Sequence, residues 1–266
     1  MNVKGNRSKS LHLSGINLEY VECGSGRPIL FLHPSIGLSA DLPFLGHLSQ
    51  HGRVVAPSHP GFGHSSLPRH FSTVDDLAYF YLDLLEHLDF RDCVIVGVSF
   101  GAWIAAEMCI KSCERIESLV LAAPVGIKLG GADESHIADY FSLQSDHFIE
   151  LAYADRANAH LDPSTLSEEQ CEIIARNRDA TALYGWLPFM YDPKLGGRIH
   201  RIKIPSLVIK GSMDRILSDT YPDEYARLLP AGQLAVLADS GHFPHIEQPQ
   251  ALADQIGRFL KSDHHA

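Results

Sequence analysis

Val94-Ile95-Val96-Gly97-Val98-Ser99-Phe100-Gly101-Ala102 decides how the rest of this 266-residue chain is read. An apolar run without alternation is a strand buried on both faces. Here it leads straight into a Gly-x-Ser-x-Gly turn that opens a helical pattern, Trp103-Ile104-Ala105-Ala106-Glu107-Met108. A serine at a sharp strand-to-helix turn takes a strained backbone, and side chains two residues to either side of it collide. Gly97 and Gly101 remove those collisions, and Ala102 keeps the next position small. The turn lifts the Ser99 hydroxyl above the carboxyl ends of the strands and aims the positive end of the following helix at it. The five letters alone occur by chance in glycine-rich turns; strand, small flanks and helix together make Ser99 a candidate nucleophile.

Runs of the same kind recur on both sides: Ile29-Leu30-Phe31-Leu32, Val54-Val55-Ala56, Leu119-Val120-Leu121-Ala122, Leu207-Val208-Ile209 and Ala235-Val236-Leu237. Each is expected to be a buried strand of a parallel sheet. Leu11-His12-Leu13 and Asn17 to Val21 alternate instead, which predicts an antiparallel edge hairpin turning at Ser14-Gly15. Helices separate the runs. Leu77, Phe80, Tyr81, Leu84, Leu85 and Leu88 form one apolar stripe behind a Thr73/Asp76 capping box. Pro249 starts a last helix that buries Leu252, Ile256, Phe259 and Leu260. Strand–helix alternation of this kind gives right-handed crossovers and a doubly wound sheet.

The alternation breaks once. Residues 124–202 hold no convincing buried strand; helices are expected over Ile137 to Phe148 and Ser167 to Arg176, the second behind a Ser167/Gln170 capping box. Gly126 to Gly131 reads as a flexible lead into this insertion, which should pack over the strand ends as a lid. The expected division is therefore a core of 1–123 and 203–266 and a helical cap of 124–202.

Composition excludes several classes of function. The chain has 22 basic and 32 acidic residues, a net charge of −10, and no basic run to meet a phosphate backbone, so nucleic acid is not an expected partner. No run reaches the length of a membrane span, and Met1 to Ser10 lacks the apolar core of a signal peptide. Cys23, Cys93, Cys109, Cys113 and Cys171 are scattered without CxxC spacing. A cytoplasmic, reducing compartment is the expectation.

A serine hydroxyl needs a base, and the base needs a carboxylate. Ser240-Gly241-His242-Phe243-Pro244-His245 follows the last apolar run and places His242 in a loop at the correct end of the sheet. His245, beyond Pro244, reads as packing or hydrogen bonding. The remaining histidines show no ligand spacing, His264-His265 is a polar tail, and no metal is expected. Lys210-Gly211-Ser212-Met213-Asp214 likewise stands at a strand end and supplies the acid. Asp239, three residues before His242, reads as a turn former.

With His33-Pro34, Pro60-Gly61-Phe62-Gly63-His64-Ser65, the serine turn, Gly211 to Asp214 and Gly241-His242 in this order, the chain resembles the α/β-hydrolase superfamily. The match is to its single-domain serine hydrolases with a helical cap. The resemblance implies the α/β-hydrolase fold, a triad of Ser99, Asp214 and His242, and no cofactor. It also implies an oxyanion hole built from the N–H groups of Ser35 and Phe100. Proline at 34, where the family has glycine, has no N–H but precedes the donor; His33 reads as a loop organiser. Serine at the nucleophile argues against epoxide hydrolase and dehalogenase chemistry, where the family uses aspartate.

The expected reaction is hydrolysis of a carboxylic ester or lactone through an acyl-enzyme. An alternative is carbon–carbon hydrolysis of ring-fission diketones, whose enzymes in this family carry asparagine before the serine and tryptophan after the histidine. Val98 and Phe243 stand there instead. A cofactor-free lyase or oxygenase, and a ligand receptor, are the readings from other classes. Tyr184, Trp186, Leu187, Phe189, Met190 and Tyr191 are expected to line an apolar pocket, each with core packing as the competing role. Arg176 and Arg178 are expected to be solvated, with contact to an anionic substrate as the competing role. The expected partner is a small apolar carbonyl compound, with self-association as a homodimer left open.

Overall fold

Ser14 and Gly15 both take positive φ, 50° and 80°, and close the turn between β1 (Lys9–Leu13) and β2 (Ile16–Cys23). That is the backbone a two-residue hairpin requires. This hairpin starts an eight-stranded sheet in the order β1-β2-β4-β3-β5-β6-β7-β8. The other strands are β3 (Pro28–Leu32), β4 (Arg53–Pro57), β5 (Cys93–Val98), β6 (Ile116–Ala122), β7 (Ser206–Gly211) and β8 (Gly232–Leu237). β2 pairs antiparallel with β1 and β4, and all remaining pairs are parallel. The structure, a computed structural model, describes residues 8–131, 133–159 and 165–262. The polar first seven residues and His264-His265 lie outside them.

Alternate residues of the central strands feed two cores. Leu30, Leu32 and Ile95 face α2 (Val74–His87), α3 (Phe100–Lys111) and α7 (Tyr221–Leu228). Ile29, Phe31, Val94 and Val96 face α1 (Pro43–Leu48) and α9 (Pro249–Ser262). Helices on both faces explain why these strands read as continuous apolar runs. The Thr73/Asp76 capping box is formed. β8 departs from the expectation of double burial: Val236 is 58% exposed. The run is apolar, but as the outermost strand it has a neighbour, β7, on one side only.

Between β6 and β7 the chain forms α4 (Ser145–Ala152), α5 (Glu168–Gly185) and α6 (Leu195–Arg198), with α8 (Pro244–Glu247) following β8. The capping box at Ser167 and Gln170 is present, and α5 runs past Arg176 to Gly185. The helix expected from Ile137 is displaced to 145–152. Ile137 instead forms an antiparallel bridge with Leu217, and Ala138 N–H donates to Ile216 O at 2.8 Å. Long-range pairing overrides the local helical spacing there. Nor is Gly126 a loose lead: it bridges to Tyr191, donates to Met190 O at 3.0 Å, and lies against Trp103 so closely that a Cβ would stand 2.5 Å from its ring. Among the described residues no helix is long and apolar enough to cross a membrane.

His245 packs among Phe31, Phe44 and Phe243, and its Nδ1 has no hydrogen-bond partner. Burial, with smaller effects from His33 and His242, lowers its pKa to about 3. The unfolded chain, with an ordinary histidine near 6.5, therefore binds this proton first, and stability is lost as pH falls from about 6.5 towards 3. His245→Leu removes that linkage. The stability difference between wild type and variant is expected to change by about 2 kcal/mol between pH 7 and pH 5. Urea unfolding at the two pH values checks this; an unchanged difference rules it out.

Candidate active site

β3 is the point where the strand order reverses, with β4 on one side and β5 on the other. Crevices form at the carboxyl ends of such strands. Ser99 follows β5 at φ 51° and ψ −111°, with its N–H donating to Ala122 O at 2.9 Å. A Cβ on Gly97 would lie 2.5 Å from Gly101 O, as a tight turn demands. Gly101 is needed for a different reason, which sequence spacing did not reveal. Its Cβ would stand 2.1 Å from Leu32 O, so α3 can start here only because its first turn touches the end of β3.

His242 Nε2 lies 2.8 Å from Ser99 Oγ and His242 Nδ1 lies 2.9 Å from Asp214 Oδ2. The carboxylate only accepts, so Nδ1 carries the proton and Nε2 is the nitrogen that accepts from the serine hydroxyl. Asp214 is itself held by its loop: Oδ1 accepts from Ile216 N–H at 2.9 Å and from Leu217 N–H at 3.3 Å. Asp239 sits in a left-handed turn at φ 52° and donates its N–H to Ser212 Oγ. The three residues brought together from distant parts of the sequence are thus Ser99, His242 and Asp214.

Sequence reasoning missed what holds the last two loops. The C-terminal end of α4 reaches down to both: Leu151 O accepts from Arg215 N–H at 3.0 Å and Ala152 O from His242 N–H at 2.7 Å. Glu247 adds a second tie. Its Oε2 accepts from Gly241 N–H at 2.6 Å and its Oε1 from Ala154 N–H at 2.7 Å. A glutamate five residues after His242 was the one available signal, because a carboxylate so near a Gly-His turn has backbone N–H groups within reach.

Helix α5 performs the same service for the loop after β3. Thr181 Oγ1, whose one proton lies between Asn177 O at 2.7 Å and Ser35 O at 3.1 Å, stands over the loop, and Asn177 Nδ2 donates to Ile36 O at 3.1 Å while its Oδ1 accepts from Gly63 N–H at 2.9 Å. Arg176 is not simply solvated: its guanidinium donates to Gly61 O at 3.1 Å and also to Ser65 O. Its planar fork spans two carbonyls of one turn, which an unpaired surface cation would not do. Arg178 remains exposed. Among the described residues, no protein acceptor takes the N–H of Ser35 or of Phe100.

Ser99 is 2% exposed and His242 3%, so the hydrogen-bonded pair lies below the protein surface. The Tyr140 phenol, which the sequence reading did not single out, lies 3.5 Å from Met190 Sδ. Burial raises its pKa above the ordinary phenol value. Phe189 packs on Tyr140 and, with Tyr191 and Ile137, lines a cavity of about 160 Å³ whose walls include none of the three triad residues, and Met190 is buried in the core instead. Trp186 and Leu187 depart from their expected place: Trp186 is 57% exposed and packs at a tilt against Phe141, and Leu187 is 90% exposed. Trp186 lies at the outer end of α5, whose inward face is taken by Asn177, Thr181 and Tyr184. Among the described residues, no three His, Cys, Asp or Glu side chains gather as a metal site would need.

Residues 29–255 match the model of the alpha/beta hydrolase family. One relative is the 2-hydroxy-6-oxo-2,4-heptadienoate hydrolase of Pseudomonas putida F1, 24% identical across 98% of this chain and 99% of that protein. Another is the pimeloyl-[acyl-carrier protein] methyl ester esterase of Vibrio vulnificus, 21% identical across 91% and 98%. Among solved structures, the meta-cleavage product hydrolase from Pseudomonas fluorescens IP01 superposes with a TM-score of 0.74 at 20% identity, covering 96% of this chain and 98% of that one. The serine elbow at the switch point and a family match spanning most of the sheet lead to one conclusion: the chain belongs to the alpha/beta hydrolase family.

Proposed function

We propose that this hydrolase cleaves a carboxylic ester or lactone by acyl transfer, with Ser99 as nucleophile, His242 as base and Asp214 as its orienting acid. The observation that carries the reading is the hydrogen-bonded line from Ser99 Oγ to His242 Nε2, at 2.8 Å, and from His242 Nδ1 to Asp214 Oδ2, at 2.9 Å. Ser99 Oγ adds to the substrate carbonyl as His242 takes its proton, and Asp214 steadies the imidazolium. The negative oxygen that results is met by the N–H groups of Ser35 and Phe100. His242 then returns the proton to the leaving oxygen, and water, activated by the same imidazole, releases the acid.

A second reading has one specific observation in its favour. The relative in Pseudomonas putida F1, matched over nearly its whole length, is named for a 2-hydroxy-6-oxo-dienoate, the substrate type of carbon–carbon hydrolysis. A panel of p-nitrophenyl esters, lactones and 2-hydroxy-6-oxo-dienoates, with Ser99→Ala as the blank, separates the two. Ester or lactone turnover that vanishes in the blank supports the first. Turnover of the dienoates alone transfers the assignment to the second. A wild-type protein inert towards all three classes overturns both.

A further inference from the structure

The loop after β3 presents successive carbonyls at His33, Pro34, Ser35 and Ile36, and a side-chain N–H or O–H group lies within hydrogen-bonding distance of every one of them. Thr181 and Asn177 of α5 hold the last two. The first two are held from beneath, by imidazoles that the triad does not use. His33 Nδ1 lies 2.7 Å from Pro34 O, and His59 Nε2 lies 2.9 Å from His33 O. His33 Nε2 accepts from the His59 backbone N–H at 3.0 Å, and the Tyr81 hydroxyl lies 2.5 Å from His59 Nδ1. The two rings stack at 3.6 Å.

The partners fix both tautomers. A backbone N–H only donates, so His33 Nε2 is bare and Nδ1 carries the proton towards Pro34 O. A carbonyl only accepts, so His59 Nε2 carries its proton and Nδ1 is left to accept from Tyr81. Burial keeps the rings neutral, lowering the His33 pKa to about 4 and that of His59 well below its ordinary value.

The C=O and N–H of a trans peptide point in opposite directions. The Pro34 carbonyl and the Ser35 N–H belong to one such unit. Pro34 O is gripped by His33 Nδ1 and, at 3.0 Å, by Gly37 N–H, so the direction of the Ser35 N–H is set by what holds that oxygen. We propose that His59 and Tyr81, acting through His33, are positioning residues that orient the Pro34–Ser35 peptide so that its N–H faces the carbonyl oxygen under attack. The proposal rests on the acyl-transfer reading, in which Ser35 is an oxyanion donor. Pro34 suits this role, since its ring restricts φ immediately before the unit that must stay fixed.

The test compares His33→Leu, His33→Asn and Tyr81→Phe with wild type, on the p-nitrophenyl ester turned over fastest. A trifluoromethyl ketone serves as the probe of the hole, because Ser99 adds to it to form a charged hemiketal oxygen. His33→Leu is expected to lower kcat by about 10²-fold, the size of losing one oxyanion donor, and to weaken the ketone by a similar factor while KM stays nearly constant. His33→Asn keeps an amide donor for Pro34 O and is expected to restore most of both. Tyr81→Phe, nearly the same shape, is expected to lower both by about 10-fold, the scale of a modest misplacement of the donor. Urea unfolding establishes that each variant is folded, and Tyr81→Phe and His33→Asn decide the matter if His33→Leu is not. A folded Tyr81→Phe with wild-type kcat and ketone affinity overturns the proposal, as does a fall in kcat that leaves ketone affinity untouched. Near-wild-type turnover in Ser99→Ala would defeat the acyl-transfer reading itself. A dead Ser99→Ala beside fully active His33 and Tyr81 variants defeats only the positioning role.

Discussion

Ser99→Ala is expected to lower turnover by about 10⁴-fold or more with the fold intact, and Ser99→Gly to be equally inactive yet more stable than the alanine protein. The first result follows from chemistry: among the described residues no other hydroxyl is hydrogen-bonded to His242 Nε2. The second follows from the backbone. At φ 51° and ψ −111° a side chain of any kind is strained, at a cost of about 1–3 kcal/mol, and alanine keeps the offending Cβ. Glycine removes it, offset by about 0.4–1 kcal/mol through the greater freedom of its unfolded chain. The net gain of glycine over alanine should be about 1 kcal/mol, read from urea unfolding of the two variants. A glycine protein less stable than the alanine one would show that the elbow stores no strain. An alanine protein with near-wild-type turnover would remove Ser99 from the reaction.

Asp214→Asn is expected to cost about 10⁴-fold in kcat with little change in KM. The loop dictates how the new amide must sit. Ile216 and Leu217 N–H groups already donate to Oδ1, so an asparagine keeps its carbonyl oxygen there and turns its NH₂ group towards His242 Nδ1. That NH₂ only donates, which forces the imidazole proton to Nε2, facing Ser99 Oγ. The base is then occupied on the side where it is needed. Asp239→Asn serves as the control and should be near wild type, because its bonds to Ser212 Oγ and Gln248 Nε2 use the backbone N–H and C=O, which the substitution keeps, and His242 Nδ1 is bonded to Asp214. A loss of less than about tenfold in Asp214→Asn would make the carboxylate a structural group instead of the orienting acid.

Much of this arrangement was legible in the sequence because its signals are local. Two-sided burial writes itself as an unbroken apolar run, a capping box as a Ser/Thr to Asp/Gln spacing, a hairpin as Ser14-Gly15, and a serine elbow as glycines on either side of Ser99. The order of these signals along the chain then placed Ser99, Asp214 and His242 at strand ends. Where local pattern and long-range pairing disagree, pairing wins. Ile137 leaves its helical spacing to bridge Leu217, and Val236 is apolar yet exposed because β8 has one neighbour. Gly101 looked like part of its own turn, but its real constraint is the carbonyl of Leu32.

The sequence by itself determined the fold class, the nucleophile's turn and the candidates for base and acid, since each depends on a few consecutive residues. Only the tertiary structure decided what holds them. Ala152 and Glu247 tie the His242 loop, Arg176 spans Gly61 and Ser65, and Thr181, Asn177, His33 and His59 take the carbonyls of the loop that bears Ser35. These bonds join residues remote in sequence through backbone groups that every residue possesses. A backbone carbonyl leaves no mark on the identity of its side chain, and which carbonyl a given arginine or histidine meets is settled when the sheet brings β3, β5, β7 and β8 side by side.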